Sequence, residues 1–156
     1  MGKYKYLMIH CSATPEGRDL DGEDIKLMHT APKPRGRGWK RAGYSKVIKL
    51  DGEVDVLHDY NEDSWIDANE ITNGARGYNS VTRHFCYIGG CDSKMKPKDT
   101  RTDAQIATLK RLIREEIENN PDVKVLGHNQ VASKACPSFD VSEWLRSNCF
   151  AESNIF

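Results

Sequence analysis

Thr102-Asp-Ala-Gln105-Ile106-Ala-Thr-Leu109-Lys-Arg-Leu112-Ile113-Arg-Glu-Glu-Ile117-Glu-Asn119, then Asn120-Pro121-Asp122, then Val123-Lys-Val-Leu-Gly-His128, is a helix, a stop and a strand written in one stretch. Ile106, Leu109, Leu112, Ile113 and Ile117 recur at the helical period, so the spacing predicts a helix over 102–119. Thr102 and Gln105 have the spacing of a capping box, in which each residue's side chain accepts from the other's backbone N–H. Asn120-Pro121 stops the helix, because proline lacks the N–H that continuation needs. Val123 to Leu126 then reads as a short buried strand.

The same grammar holds on either side. Tyr4 to His10 is a strand-like apolar run, and Asp21 can cap a helix to about His29 with Ile25, Met28 and Leu27 facing inward. Thr30 to Gly43 holds two prolines and three glycines and is a loop. Ser45–Leu50 and Glu53–Leu57 flank Asp51-Gly52, which predicts a hairpin closed by a tight primed turn. Asp59 to Asn79 is polar and irregular, with room for a helical turn. His84 to Ile88 is a strand ending at Gly89-Gly90, and Asp140 with Glu143 can cap a last short helix carrying Trp144 and Leu145. Strands alternating with helices imply an α/β fold, a single central mixed β-sheet flanked by helices on both faces. The 156 residues fit one domain, 1–156, large enough to bury roughly 70% of its unfolded surface.

Composition narrows the function. Lysine plus arginine equals aspartate plus glutamate at 23 each, whereas nucleic-acid and membrane-surface binders ordinarily carry a basic excess. The one basic cluster, Lys33, Arg35, Arg37, Lys40 and Arg41 around Gly36, Gly38 and Trp39, reads as a solvated loop or as a rim meeting an anionic polymer. No stretch approaches the ~18 apolar residues of a membrane span, so no membrane insertion is expected. The start, Met1-Gly-Lys-Tyr-Lys-Tyr6, lacks the pattern of a signal peptide, and Tyr6 argues against myristoylation of Gly2. Five cysteines without a regular framework argue against a disulfide scaffold and for a reducing compartment. The expectation is a cytoplasmic, monomeric protein.

Three residues carry chemistry. His10 closes the run Tyr6-Leu-Met-Ile-His10, His128 closes Val123–His128, and Cys136 follows eight residues later in Ser133-Lys134-Ala-Cys136-Pro137. A lone histidine at a strand end is ordinarily a hydrogen-bonded structural residue, and Cys-Pro is ordinarily a buried thiol before a turn. Together, two imidazoles and a thiolate make three zinc ligands, and catalytic zinc sites use three protein ligands and leave a fourth position open. In α/β sheets functional groups gather at the carboxyl ends of strands, where both histidines lie. Eight residues of loop span up to ~25 Å, enough for Cys136 to fold back.

An ordered set of motifs points further: Ile9-His10-Cys11-Ser12-Ala13-Thr14, His29, Arg37-Gly38-Trp39, Gly43-Tyr44 and Gly77-Tyr78-Asn79-Ser80. Cys86-Tyr87-Ile88-Gly89-Gly90, Gly127-His128 and Lys134-Ala135-Cys136-Pro137-Ser138-Phe139-Asp140 complete it. This set resembles the zinc-dependent N-acetylmuramoyl-L-alanine amidases of the type-2 family, the group that includes phage T7 lysozyme and the peptidoglycan-recognition proteins. The resemblance implies a peptidoglycan-recognition-protein-like fold and Zn²⁺ on His10, His128 and Cys136, with Tyr44 and Lys134 catalytic. It implies hydrolysis of the amide between N-acetylmuramic acid and L-alanine in peptidoglycan, by a phage or prophage endolysin held in the cytoplasm until it is released to the cell wall. Family members that only bind peptidoglycan typically lack the thiolate ligand, so Cys136 favours an enzyme. The alternatives are a peptidoglycan-binding module whose catalysis has decayed, or a regulatory binding protein using the 33–41 loop.

The chain departs from the family pattern in three places. Ser45 follows the tyrosine where histidine is common, Met28 precedes His29 where tryptophan is usual, and Thr82-Arg83-His84 replaces Ser-Ile-Gly. His84 in place of glycine implies an altered groove wall or a local shift of the strand. His29, Trp39, Tyr78 and Asn79 are candidate substrate contacts. By strand alternation Cys11 should point away from His10 and serve packing. Cys86 reads as a buried thiol, Cys91 as a loop residue, and His58 as structural or solvated.

Overall fold

In the computed structural model, which describes residues 1–156, the chain runs β1 (Gly2–Lys3), β2 (Tyr6–Cys11), β3 (Thr14–Pro15), α1 (Gly22–Thr30), β4 (Lys46–Ile48), β5 (Val54–Val56), β6 (Trp65–Ile66) and β7 (Thr82–Tyr87). It continues through β8 (Gly90–Cys91), α2 (Asp103–Asn119), β9 (Lys124–Gly127) and α3 (Val141–Ser147). Five strands form the central sheet in the order β5-β4-β7-β2-β9. β4, β7, β2 and β9 are mutually parallel and β5 is antiparallel to β4, so the sheet is mixed. A parallel strand covered on both faces has no wet side, which is why Leu7, Met8 and Ile9 are all fully buried.

One face packs Leu7, Ile9, Phe85, Tyr87 and Val125 against Leu109, Leu112 and Ile113 of α2 and against Val141 and Leu145 of α3. On the other face, Val47, Cys86 and Ile88 pack against Ile25 of α1. Met8 and Leu126 on that same side lie under Ala75, with Tyr6, Tyr78 and Val131 around them. Helices therefore flank both faces, but α1 covers only half of its side and an irregular loop covers the rest. Alternation along β2 and β7 places His10 and His84 on this second face, between the two covers.

The capping box of α2 forms as expected. Thr102 Oγ1 accepts from Gln105 N–H at 3.0 Å, and Gln105 Oε1 accepts from Thr102 N–H at 2.9 Å. Gln105 does more than cap: its fully buried Nε2 donates to the carbonyls of Ile88 (2.9 Å) and Ile48 (3.3 Å), tying the helix start to the ends of two strands. Asp21 and Asp24 form a second box at the start of α1. Leu27 does not face inward as its apolar character implied; it is 57% exposed, because it lies two residues, about 200° of helix, from the buried Ile25.

The hairpin also departs from its reading. Gly52 N–H donates to Lys49 O and Lys49 N–H to Glu53 O, so three residues, 50–52, form the loop. Only Gly52 takes a positive φ there (+86°), which fits a type I turn closed by a glycine bulge rather than a two-residue primed turn. β7 begins at Thr82, two residues before the expected His84, because Arg83 is taken into the interior. Its Nη1 meets Glu116 at 2.9 Å, and its guanidinium lies between the rings of Tyr4 (4.3 Å) and Tyr60 (4.1 Å). Tyr4, read as the start of a strand, instead donates its hydroxyl to Glu116 at 2.8 Å.

Candidate active site

β2 and β9 are neighbours, with Ile9 opposite Gly127, so His10 and His128 leave the sheet side by side and their ring centroids lie 4.7 Å apart. The turn at His128 is held by Gln130, whose Oε1 accepts from Gly127 N–H and whose Nε2 donates to Ser142. Cys136 is returned to this edge by a pinned loop. Tyr87 donates its hydroxyl to Pro137 O at 2.6 Å, Ser138 donates to Gly90 O at 2.8 Å, and Cys11 N–H donates to Cys136 Sγ at 3.3 Å. Each of the three residues offers one ligand atom, all within 4.8 Å of one another, and Cys136 Sγ lies 3.6 Å from His10 Nδ1. This is a group that could hold a metal ion.

The imidazoles around it are kept neutral. Burial pushes His84 down to about 3, with His128 adding to the effect, and burial followed by the charge of Arg37 pushes His29 down to about 4. His10 and His128 are lowered too, chiefly by burial, then by His84 and by Lys134 respectively. Neutral imidazole is the form that ligates metals. These folded values lie below the unfolded value of about 6.5, so below that pH the unfolded chain takes up protons the folded chain refuses. Stability of the metal-free protein is expected to fall as pH drops from about 6.5 towards 4. His84 alone accounts for about 2–3 kcal/mol by pH 4.5. Urea unfolding in chelator at pH 7 and pH 4.5 checks this, and equal stability at the two values would contradict it.

The edge carrying these three residues opens into a cleft. Its inner part, about 210 Å³, is bounded by His29, Tyr44, His128, Lys134 and Cys136; an adjoining part of about 480 Å³ runs past Trp39, Tyr78 and Asn79. Tyr44 lies with its ring 4.9 Å from that of His10 and 5.1 Å from that of His29. Burial, and next the nearby Cys86, holds its phenol well above the ordinary range, so it stays protonated. His29 Nδ1 accepts from Gly43 N–H at 2.9 Å, and Trp39 leans on the His29 ring at 5.1 Å. Lys134 is exposed and, like Arg37 and Trp39, borders both parts of the cleft.

The family profile described as N-acetylmuramoyl-L-alanine amidase matches residues 1–139. The chain belongs to that family. Among relatives, the amidase is 32% identical over 142 residues to the endolysin of Klebsiella phage KP32, covering 91% of this chain and 85% of that one. It is 31% identical over 142 residues to the endolysin of Escherichia phage T7, with the same coverage. The same fold is found in a mutant of Drosophila PGRP-LB in complex with tracheal cytotoxin, with TM-score 0.73 and 22% identity over 100% of this chain and 85% of that one. It is also found in the N-acetylmuramoyl-L-alanine amidase LysC from Clostridium intestinale, with TM-score 0.72 and 18% identity over 94% and 85%. The protein is a peptidoglycan amidase, and the expected fold and enzyme class both stand.

All nine residues singled out from the amidase's sequence gather at this one edge of the sheet, eight of them bordering the cleft and His10 buried beside His128 and Cys136. Sequence reasoning did not single out Arg37 and Arg76 as cleft residues, although Arg37 lay within the basic cluster and Trp39 beneath it marked the rim. Arg41 of that cluster is not free: its guanidinium donates to the carbonyls of Ala68 (2.7 Å) and Ile71 (2.9 Å). Cys91, expected in a loop, is buried as part of β8 beside β3. Cys11 packs in the α2-side core while its backbone reaches Cys136. His58 bonds the carbonyl of Asn69. His84 does not line the cleft: it is fully buried and bonds His10.

Proposed function

We propose that His10, His128 and Cys136 hold a catalytic Zn²⁺ and that Tyr44 and Lys134 carry out the proton and charge work of amide hydrolysis. The observation that carries this reading is the 3.6 Å between His10 Nδ1 and Cys136 Sγ. Zn–N and Zn–S bonds of about 2.05 and 2.3 Å, meeting at a tetrahedral angle, separate nitrogen and sulfur by about 3.6 Å. The donor set also fits, since two neutral imidazoles and one thiolate leave a fourth position open. Zinc held there supplies Lewis acidity to the scissile carbonyl and to the attacking water.

The substrate bond in this reading joins the lactyl carbonyl of N-acetylmuramic acid to the nitrogen of L-alanine. Attack places negative charge on the carbonyl oxygen, and the Lys134 ammonium on the cleft wall is a cationic donor to it. Tyr44, kept as a neutral phenol by burial, is a second donor beside the His10 ring. Between them they stabilise the oxyanion and deliver a proton to the departing alanine nitrogen. The C–N bond breaks to leave a lactyl carboxylate and a free peptide amine. Peptidoglycan is the partner, and Trp39, Tyr78, Asn79 and His29 are positioned to contact glycan or stem peptide along the cleft.

Residues 1–156 act in this reading as one amidase domain, monomeric and not inserted in the membrane; no helix is long and apolar enough to cross one. The phage relatives described as endolysins support a lytic role, exercised from the cytoplasm once the membrane is opened. Incubation of the zinc-loaded protein with purified sacculi is expected to release stem peptides beginning at L-alanine, detected by mass spectrometry. Chelator should abolish release and added zinc restore it. Cleavage between sugars, or release indifferent to chelator, would overturn the reading.

A further inference from the structure

We propose that His84, anchored by Asn79 and given room by Gly74, is a positioning residue that fixes which nitrogen of His10 faces the metal. The inference rests on the zinc reading above and concerns residues outside its ligand set. His84 Nε2 lies 3.0 Å from Asn79 Oδ1, and His84 Nδ1 lies 2.9 Å from His10 Nε2. Asn79 Oδ1 also receives the backbone N–H of Ala75 at 2.9 Å, and a backbone N–H can only donate, so the atom there is the amide oxygen and not the nitrogen. An oxygen that only accepts requires the hydrogen of His84 on Nε2. Neutral His84 then has a bare Nδ1, which can only accept, so His10 must donate from its own Nε2. That leaves the lone pair of His10 on Nδ1, the nitrogen that faces Cys136 Sγ.

The relay Ala75 N–H, Asn79, His84, His10 thus transmits one backbone donor's orientation to the ligand atom. Metal-bound histidines ordinarily give their second nitrogen to a carboxylate, carbonyl or water, and losing such a partner costs about 10–100-fold in metal affinity. Here a second imidazole takes that place, in full burial. Gly74 is its counterpart: a Cβ at that position would sit 2.3 Å from the His84 ring, which cannot be relieved without moving the ring. Glycine at 74 and histidine at 84 are therefore one unit, and His84 in place of a small residue is a functional substitution rather than a blemish in the groove wall.

Two measurements test this. Long-range ¹H–¹⁵N spectra of the metal-free wild-type protein should show His10 and His84 both protonated on Nε2. A His10 protonated on Nδ1, or averaging between tautomers, would overturn the proposal without any variant having to fold. Zinc affinity, read by competition with a chromophoric chelator, should fall about 10–100-fold in His84→Phe, Asn79→Leu and Gly74→Ala. Asn79→Asp, which keeps an acceptor in place, should stay within about threefold of wild type on the same physical ground. Wild-type uptake with unchanged affinity in Asn79→Leu and His84→Phe removes this role alone. No uptake by the wild-type chain removes the zinc site, and this role with it.

Discussion

Cys136→Ser is expected to cut the release of stem peptides from purified sacculi by at least ~10³-fold, because it removes the only soft ligand of the proposed zinc site. The change is one atom, and the loop need not move. Pro137 and Ser138 hold it through Tyr87 and Gly90, and neither bond involves the sulfur. A serine hydroxyl stays protonated near neutrality and is a poor partner for zinc beside two imidazoles, whereas a thiol is deprotonated by the ion itself. Circular dichroism of the variant should match wild type while zinc content falls. Wild-type peptide release from Cys136→Ser would sink the mechanism, because no other cysteine joins the cluster with His10 and His128.

Glu116→Ala is expected to produce the largest loss of stability, about 3–5 kcal/mol, with the cleft chemistry untouched in the surviving folded fraction. Arg83 and Glu116 have side-chain exposures of only 2% and 3%, and their 2.9 Å contact is backed by the Tyr4 hydroxyl at 2.8 Å and that of Tyr60 at 3.3 Å. Truncating the carboxylate leaves a buried guanidinium with only the half-exposed Glu62 carboxylate at 3.6 Å and the carbonyls of Asn61 and Asp63 to face it, and losing the buried partner is costlier than the pair itself is favourable. For a chain of this length the midpoint of thermal unfolding should drop by about 6–20 °C. The double change Arg83→Met with Glu116→Leu should recover much of the loss, since an apolar pair of similar volume leaves no orphaned charge. A single Glu116→Ala within about 1 kcal/mol of wild type would mean that water reaches this site.

What was legible in the sequence follows from what is local. The α2 helix was readable because Thr102, Gln105 and a 3.6-residue apolar repeat all lie within one segment, and β2 and β9 because each is a short run buried on both faces. The cleft was readable because His10 and His128 sit at strand ends and because ordered motifs resembled a family. What escaped notice depends on partners distant in the chain. β1 and β6, and β3 and β8, are two-residue strands that exist only by pairing with each other. Arg83 gave no sign in the sequence that it would be buried, because the carboxylate it pairs with belongs to Glu116, 33 positions away. His84 read as an intrusion in the wall for the same reason: its meaning lies in Asn79, Gly74 and His10, and strand periodicity says nothing of them.

The order of the sheet also bears on how such a protein comes into being on the ribosome. Of the five strands of the central sheet β2 comes earliest in the chain, and it lies between β7 and β9. At about 5–20 residues per second, the apolar Leu7-Met-Ile segment waits roughly 5–25 s for its second neighbour to emerge. Through that interval the edge that β9 will cover stays open to any other nascent strand. His10 likewise has neither His128 nor Cys136 beside it until residue 136 has been added, so a product that stops short of that point lacks the three-residue cluster.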